Sequence, residues 1–194
     1  MSLAVGFRVK SGYAIAVTLS GPAQLPAVVA RRIVELCDPD QADTRQPFHH
    51  DFYTHEEDRR ELARRMRIVR CCAKHSVDRL IGEMRAAGSA RSVRAALVVG
   101  SVIDPEQVAN PHIRAHASEG QLFRTVLADA LRAHGIACDV IVEKQLAARA
   151  VADLKRRDDD IRSAVAAFGK ALGGRWRAEE KAASAAAWIA LARA

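Results

Sequence analysis

The sequence predicts a single α/β domain with a mixed five-stranded sheet and helices on the faces of that sheet. Three observations carry this prediction. The first third of the chain alternates apolar and polar side chains with a period of two. An apolar stripe with helical spacing follows from about residue 55. The run Ala95–Gly100 is apolar throughout, which is typical of a central strand that is buried on both faces.

The first three elements are predicted to form an antiparallel meander of strands. The first strand begins at Val5 and the second at Tyr13, and the turn Ser11-Gly12 between them offers a glycine for a positive φ. Ser20-Gly21-Pro22 ends the second strand, and the third spans Val28–Leu36.

Helices and strands then alternate, which predicts two helix–strand crossovers. The first helix begins near His55 and stops at Gly88, and Ala95–Gly100 is the fourth strand. A second helix starts at Pro111 or His112, with Asn110 as its N-cap, and runs to His134. Cys138–Val142 is the fifth strand. We therefore expect one domain over residues 1–194 with a helical C-terminal segment over 145–194, divided at Gly169, Gly173 and Gly174.

Composition narrows the class of protein. Apolar residues make up 49% of the chain and charged residues 27%, which excludes a wholly disordered protein. No apolar run approaches the roughly 18 residues of a membrane span, and the N-terminus lacks the layout of a signal peptide, so we expect a cytoplasmic protein without membrane contact. The net charge of +7 favours a nucleic-acid partner. The alternative is a coding bias, because 24 of the 30 basic residues are Arg and 38 residues are Ala.

Three further features receive a structural interpretation. The four cysteines have no metal-binding spacing, so we expect buried, reduced thiols. The polar loop over residues 38–54 contains His49 and His50, and we interpret it as a mobile connector. Six arginines cluster on the first helix and are accompanied by acids at pairing distance, which predicts a solvated salt-bridge face. These arginines are Arg59, Arg60, Arg64, Arg65, Arg67 and Arg70.

The sharpest candidate site is His112, His116 and Glu119. Their spacings of four and three place them on one helical face, which continues into an apolar stripe. We rank three interpretations of these residues. A structural hydrogen-bond network comes first, an anion or substrate pocket in which Arg114 takes part comes second, and a metal site comes last. We therefore assign no metal ligand. No motif identifies a cofactor.

The element order resembles the ribonuclease H-like fold, in particular its Holliday-junction resolvase (RuvC) and YqgF-like branches. The resemblance covers nearly the whole chain. Three segments carry it: the opening VGFRVKSGYAIAV from Val5, the strand AALVVG from Ala95, and the tail KAASAAAWIA from Lys181. Relatives with sugar-kinase or actin function place a phosphate-binding turn where this chain has Lys10, Ser11 and Gly12. The alternative, which we favour, is a plain hairpin flanked by a surface lysine.

The resemblance also implies a nuclease centre of two divalent ions held by carboxylates, and here this chain departs from it. The first strand carries Arg8 and Lys10 and contains no acid. Ser101 follows the fourth strand, and Asp104 comes only later. The closing acids would fall on or near Lys181 and Ser184, and Glu180 lies just before these positions. We therefore expect the usual two-metal centre to be absent.

We expect a domain that binds nucleic acid or a phosphorylated ligand. The ligand-binding candidates are Lys10, Ser11, Gly12, Ser101 and Arg114, to which His112 and His116 contribute. The alternative is a hydrolase that uses His112, His116 and Glu119, with Asp104 or Glu180 in support. A third interpretation is an interaction module that forms a homo-oligomer through the C-terminal helices, anchored by Trp176 and Trp188.

Overall fold

The five strands of the computed structural model form one mixed sheet, and the structure describes residues 2–50, 55–86 and 92–194. In chain order the strands are β1 (Ser2–Lys10), β2 (Tyr13–Ser20), β3 (Ala27–Glu35), β4 (Ser92–Val99) and β5 (Cys138–Val142). Their order in the sheet is β3-β2-β1-β4-β5. β1 pairs antiparallel with β2 and parallel with β4. The outer strand β3 pairs antiparallel with β2, and the other outer strand, β5, pairs parallel with β4. The predicted α/β fold and its mixed sheet are confirmed.

Helices cover both faces of this sheet. They are α1 (Arg59–Ala86), α2 (Pro111–Ala133), α3 (Leu146–Leu154), α4 (Asp158–Leu172) and α5 (Ala178–Leu191). α1 and α2 share one hydrophobic cluster with the sheet, and α3, α4 and α5 share a second cluster on the opposite face. None of the helices in the described part of the chain combines the length and apolarity that a membrane crossing requires.

β1 and β4 are buried because each lies inside the sheet and under helices on both faces. Along β4, Leu97 packs on the α1 and α2 side and Val98 on the α5 side. In β1, Phe7 packs toward α1 and α2, whereas Gly6 faces α5. A Cβ at Gly6 would lie 1.9 Å from the carbonyl oxygen of Ala183. The alanine-rich α5 therefore approaches β1 more closely than any side chain at position 6 would permit.

Two predicted helix boundaries are corrected. α1 begins at Arg59 and not near His55, because the Asp58 carboxylate accepts a hydrogen bond from the backbone N–H of Arg60 (2.8 Å) and caps the helix there. Gly169 does not divide the C-terminal segment, since it lies inside α4, where the Trp176 ring occupies the space a side chain would need. α4 ends at Gly173, whose φ is +71°. The expected stop of α1 at Gly88 lies outside the described residues.

Cysteine and tryptophan positions also refine the expectations. Only Cys37 is buried, Cys72 and Cys138 are half-buried, and Cys71 is exposed, because adjacent residues of a helix face different directions. The Trp188 side chain lies in the core and donates to the carbonyl of Ala23. The Trp176 indole donates to a carbonyl of α4. Both rings pack within the chain, so the idea that Trp188 anchors an oligomer interface is wrong.

Candidate functional site

The start of α2 is fixed by hydrogen bonds from side chains of its own sequence. The Asn110 carbonyl oxygen accepts from the backbone N–H of Ile113 at 3.1 Å, and Pro111 occupies the first turn, as predicted. The Arg114 guanidinium donates to the backbone oxygens of Val108 and Ala109. These contacts hold the loop that leaves β4 against the helix. The Arg114 guanidinium therefore serves to hold this loop in place.

The structure brings the predicted histidines of α2 into contact. The Nε2 atoms of His112 and His116 lie 3.3 Å apart, and the planes of the two rings meet at 78°. On its other side, the His116 ring places Nδ1 3.5 Å from Oε2 of Glu119. The i, i+4, i+7 arrangement therefore gives one continuous polar face over the first three turns of α2.

A third histidine, His49, comes from the loop that follows β3. Its Nδ1 lies 2.7 Å from Oε1 of Glu119, and both groups are almost completely buried. Its ring centroid is 5.3 Å from that of His112 and 4.6 Å from that of His116. The loop is thus packed against α2 around His49. The interpretation of this part of the loop as a mobile connector is wrong.

Arg65 of α1 explains why the loop is held in this position. Its guanidinium donates to the backbone oxygens of Pro47 (3.2 Å) and His49 (2.9 Å) and to the Glu56 carboxylate (3.0 Å). The side chain is buried, in contrast to the solvated position predicted for the arginines of this helix. A hydrogen bond from the backbone N–H of Glu56 to the oxygen of Phe48 completes the anchor.

Glu119 is the buried carboxylate around which the histidines gather. Burial removes water from its charged form and raises its pKa to about 7, although contact with His116 and a hydrogen bond from the backbone of Phe48 oppose this shift. Near neutral pH the group therefore exchanges readily between its acid and carboxylate forms. A carboxyl group with such a pKa is more typical of functional sites than of surface ion pairs.

A cleft of about 590 Å³ lies between α1, α2 and the loop after β4. Phe48, which precedes His49, forms part of its wall, whereas His49, His112 and His116 are not among its lining residues. Its charged lining residues are Arg70, Asp104, Glu106 and Arg114. Asp104 lies here but is exposed, and its carboxylate caps the short 3-10 turn at Pro105–Gln107.

The remaining candidate residues are distributed over other parts of the sheet. Lys10 points toward α5, where its Nζ lies 3.9 Å from the Glu179 carboxylate. Gly12 adopts a φ of +84°, which confirms the predicted tight turn, and packs against the Cys37 side chain. Ser101 is exposed at the end of β4. Because α2 and α5 cover opposite faces, Lys10 does not join His112 and His116 in one pocket.

The acids near β1 each contact a cation. Arg8 is buried and forms a two-pronged contact with Glu143, with nitrogen–oxygen distances of 3.2 and 2.6 Å. Glu180 accepts from Arg31 at 2.6 and 2.9 Å and from the backbone N–H of Arg177 at 2.9 Å. Glu180 lies on the α5 side, so the structure separates it from the histidines that it was expected to support.

No family model matches the sequence, and no curated protein matches it. Solved structures do match the fold. Thermus thermophilus RuvC in complex with its Holliday junction substrate superimposes with a TM-score of 0.56 at 9% identity, covering 97% of this chain and 92% of that chain. A second Thermus thermophilus RuvC structure gives a TM-score of 0.55 at 10% identity, with coverages of 96% and 92%.

The fold is ribonuclease H-like. The yeast mitochondrial Holliday junction resolvase also matches, with a TM-score of 0.46 and 9% identity, over 98% of this chain and 77% of that chain. At these identities the ribonuclease H-like match describes the backbone arrangement only.

Sequence reasoning missed His49 as a site residue, and also Arg65, which positions it. The signal available was the pair His49-His50 in a polar loop after a strand. Nothing in that pattern shows that the loop reaches a helix whose histidines begin more than 60 residues later.

Proposed function

We propose that this ribonuclease H-like chain binds nucleic acid or another phosphorylated ligand beside the histidine end of α2, without the two-metal nuclease centre of the fold. The observation that carries the proposal is the meeting of His49, His112 and His116 at the start of α2, a helix that also forms one wall of the cleft containing Arg70. Imidazoles donate hydrogen bonds to phosphate oxygens, and arginines match phosphate geometry.

The charges along α1 support an anionic ligand. Arg64 contacts Asp43 and Glu61, and Arg65 contacts Glu56, so these two residues use the nearby acids. The other four arginines of the predicted salt-bridge face lie more than 4 Å from every carboxylate among the described residues. They are Arg59, Arg60, Arg67 and Arg70. The predicted salt-bridge face is therefore only partly paired, and its unpaired guanidinium groups are available to phosphates.

The charges around β1 support the absence of a two-metal centre. A pair of Mg²⁺ ions needs several carboxylates that are free of competing cations. Here Glu143 is held by Arg8 and Glu180 by Arg31. The close packing of Gly6 against α5 also leaves no room for a carboxylate at that position of β1.

Hydrolysis at the same histidines is the second candidate function. His116 is half-exposed and lies within reach of both His112 and Glu119, so groups that donate and accept protons adjoin a solvent-accessible position. Such a set can act as general acid and base on a bound ester.

Binding of fluorescent oligonucleotides, measured by anisotropy at two salt concentrations, tests the proposal. The probes are a single strand, a duplex and a four-way junction. We expect the double variant Arg67→Ala/Arg70→Ala to bind at least about 5-fold more weakly. The slope of log K against log[salt] should become shallower by roughly 0.9 for each phosphate contact that is lost. Arg175→Ala is the matched control, because this exposed arginine follows α4 on the opposite side of the sheet.

Equal weakening by the control variant, or no binding to any probe or to inorganic phosphate, would contradict the proposal. The same samples are incubated with Mg²⁺ or Mn²⁺ and examined on denaturing gels. Metal-dependent cutting of the oligonucleotides that is lost in Glu180→Gln would show that a two-metal centre is present and would contradict that part of the proposal. Release of nitrophenol from bis(4-nitrophenyl) phosphate, lost in His116→Ala, would instead favour the hydrolase.

A further inference from the structure

We propose that His49, His112 and His116 together bind one divalent transition-metal ion of the zinc class, with Glu119 positioning two of the three ligands. The inference goes beyond ligand binding. It uses the same side chains as the proposed function but does not depend on any phosphorylated ligand.

The distances between the nitrogens match a common ion. One ring nitrogen from each histidine lies within 4.8 Å of the other two. In tetrahedral coordination with Zn–N bonds of about 2.0–2.1 Å, two ligand nitrogens are about 3.4 Å apart. The Nε2 atoms of His112 and His116 are already separated by 3.3 Å. Little movement of the α2 histidines is therefore needed.

The orientation of the rings provides an independent argument. Each imidazole that binds a metal through one nitrogen normally directs the other toward a carboxylate or carbonyl. His49 turns Nδ1 to Oε1 of Glu119, and His116 turns Nδ1 toward Oε2 of the same group. Both rings then present Nε2 on the side away from Glu119. For His116 this is the atom that faces His112.

The donor set determines which ions fit. Three neutral imidazoles suit zinc, cobalt and nickel, whereas Mg²⁺ and Ca²⁺ prefer oxygen ligands. Three protein ligands also leave a coordination position open, as in catalytic rather than structural zinc sites. The His116 side chain is 48% exposed, so that open position is accessible to solvent.

The scaffold holds the three ligands in advance. Two of them are one helical turn apart on α2, behind a capped N-terminus. The third ligand, His49, is fixed because the Arg65 guanidinium donates to the backbone oxygen of His49. Because the ligands are anchored from α1 and α2 separately, metal binding should require little reordering of the chain.

Cobalt titration tests the site without any activity assay. Protein treated with EDTA and dialysed is titrated with Co²⁺, and the visible absorption of tetrahedral or five-coordinate cobalt is recorded; zinc content is measured by mass spectrometry. We expect one ion per chain. His112→Ala and His116→Ala should lose the spectrum, and Glu119→Gln should weaken affinity by about 10- to 100-fold. His75→Ala, an exposed histidine of α1, is the matched control and should bind like the wild type.

The proposal is overturned if the wild type shows no such spectrum and retains no zinc, or if His116→Ala binds as tightly as His75→Ala. Circular dichroism establishes that each variant is folded, and His116→Gln replaces the alanine variant if that one is not. Oligonucleotide binding is measured separately on metal-free protein. Failure of the metal site and failure of the proposed function are therefore distinguishable.

Discussion

Glu180 is a buried carboxylate that two different elements keep ionised. Burial alone would raise its pKa, but hydrogen bonds from Arg31 of β3 and from the backbone of Arg177, at the start of α5, outweigh that effect and lower the pKa. A group whose pKa is lowered by folding stabilises the folded state above its unfolded pKa. This contribution is lost as the pH falls through the folded value.

We therefore predict that Glu180→Gln lowers the free energy of unfolding by about 1–3 kcal/mol at pH 7. The difference from wild type should begin to shrink as the pH falls below the ordinary glutamate pKa of 4.5, and it should vanish below the lower folded value, where the wild-type carboxyl is protonated too. Urea unfolding at a series of pH values measures it.

Glu179→Gln is the control for this prediction, since the more exposed Glu179 meets Lys10 only at 3.9 Å. Its effect should stay below about 1 kcal/mol. A Glu180→Gln difference that is the same at pH 7 and at pH values well below 4 would contradict the prediction, because the contribution of an ion pair must fall when the carboxylate is protonated.

The histidines show how far single residues were predictable. His112, His116 and Glu119 were recognised as neighbours because a helix brings residues three and four apart onto one face, whatever the rest of the fold does. His49 meets Glu119 across 70 residues. Its contact depends on the loop path that Arg65 fixes, and no local periodicity encodes a path of that kind. The separation of Lys10 from the α2 histidines was also not predictable from local periodicity, since it depends on which face of the sheet each helix covers.

At the scale of elements, the contact between β1 and α5 leaves no space for a side chain at Gly6. Gly6→Ala would place a methyl group 1.9 Å from the oxygen of Ala183 and 2.3 Å from the nitrogen of Ala187. Both are backbone atoms, which cannot turn aside as a flexible side chain would. We predict a loss of about 3 kcal/mol or more in the free energy of unfolding, at the upper end of overpacking effects.

Gly82→Ala in α1 is the matched control, because nothing lies within 4 Å of a Cβ at that position. The substitution should leave stability unchanged or raise it by up to about 1 kcal/mol, the difference in helix propensity between glycine and alanine. If Gly6→Ala were as stable as Gly82→Ala in thermal and urea unfolding, the close approach of α5 would be refuted.

Element boundaries were predictable where the apolar pattern reaches the end of the element. The third strand was predicted over Val28–Leu36 and observed over Ala27–Glu35. β4 begins at Ser92, three residues before the predicted run, because its first residues pair with β1 without full burial and so carry no apolar signal. Gly169 is predicted to break a helix but lies inside α4, and the local sequence does not reveal that the Trp176 ring occupies the space of its missing side chain.

For the whole molecule, the two hydrophobic clusters on opposite faces share the strands between them. Trp188 and Trp176 both lie on the α5 side, so tryptophan fluorescence reports on that face alone. If the chain is one cooperative domain, a substitution on the other face must shift the fluorescence transition. Leu127→Ala, at a fully buried position of α2, should lower the free energy of unfolding by about 2–5 kcal/mol.

We expect the fluorescence and far-ultraviolet circular dichroism transitions of Leu127→Ala to move together. The exposed α2 variant Thr125→Ala should leave both within about 0.5 kcal/mol of wild type. A fluorescence midpoint that stays fixed while the dichroism midpoint falls would divide the chain into two folding units.

The pairing of β1 with β4 has a consequence for the chain while it is being synthesised. Ser2 and Ser92 meet across 90 residues, so one edge of β1 has no partner until the ribosome has added that length. At about 5–20 residues per second, the interval is roughly 5–20 s. An apolar strand with an open edge is a template for pairing with other chains. The nascent chain is therefore more exposed to aggregation than the finished protein, in which the β1 edge is closed on both sides.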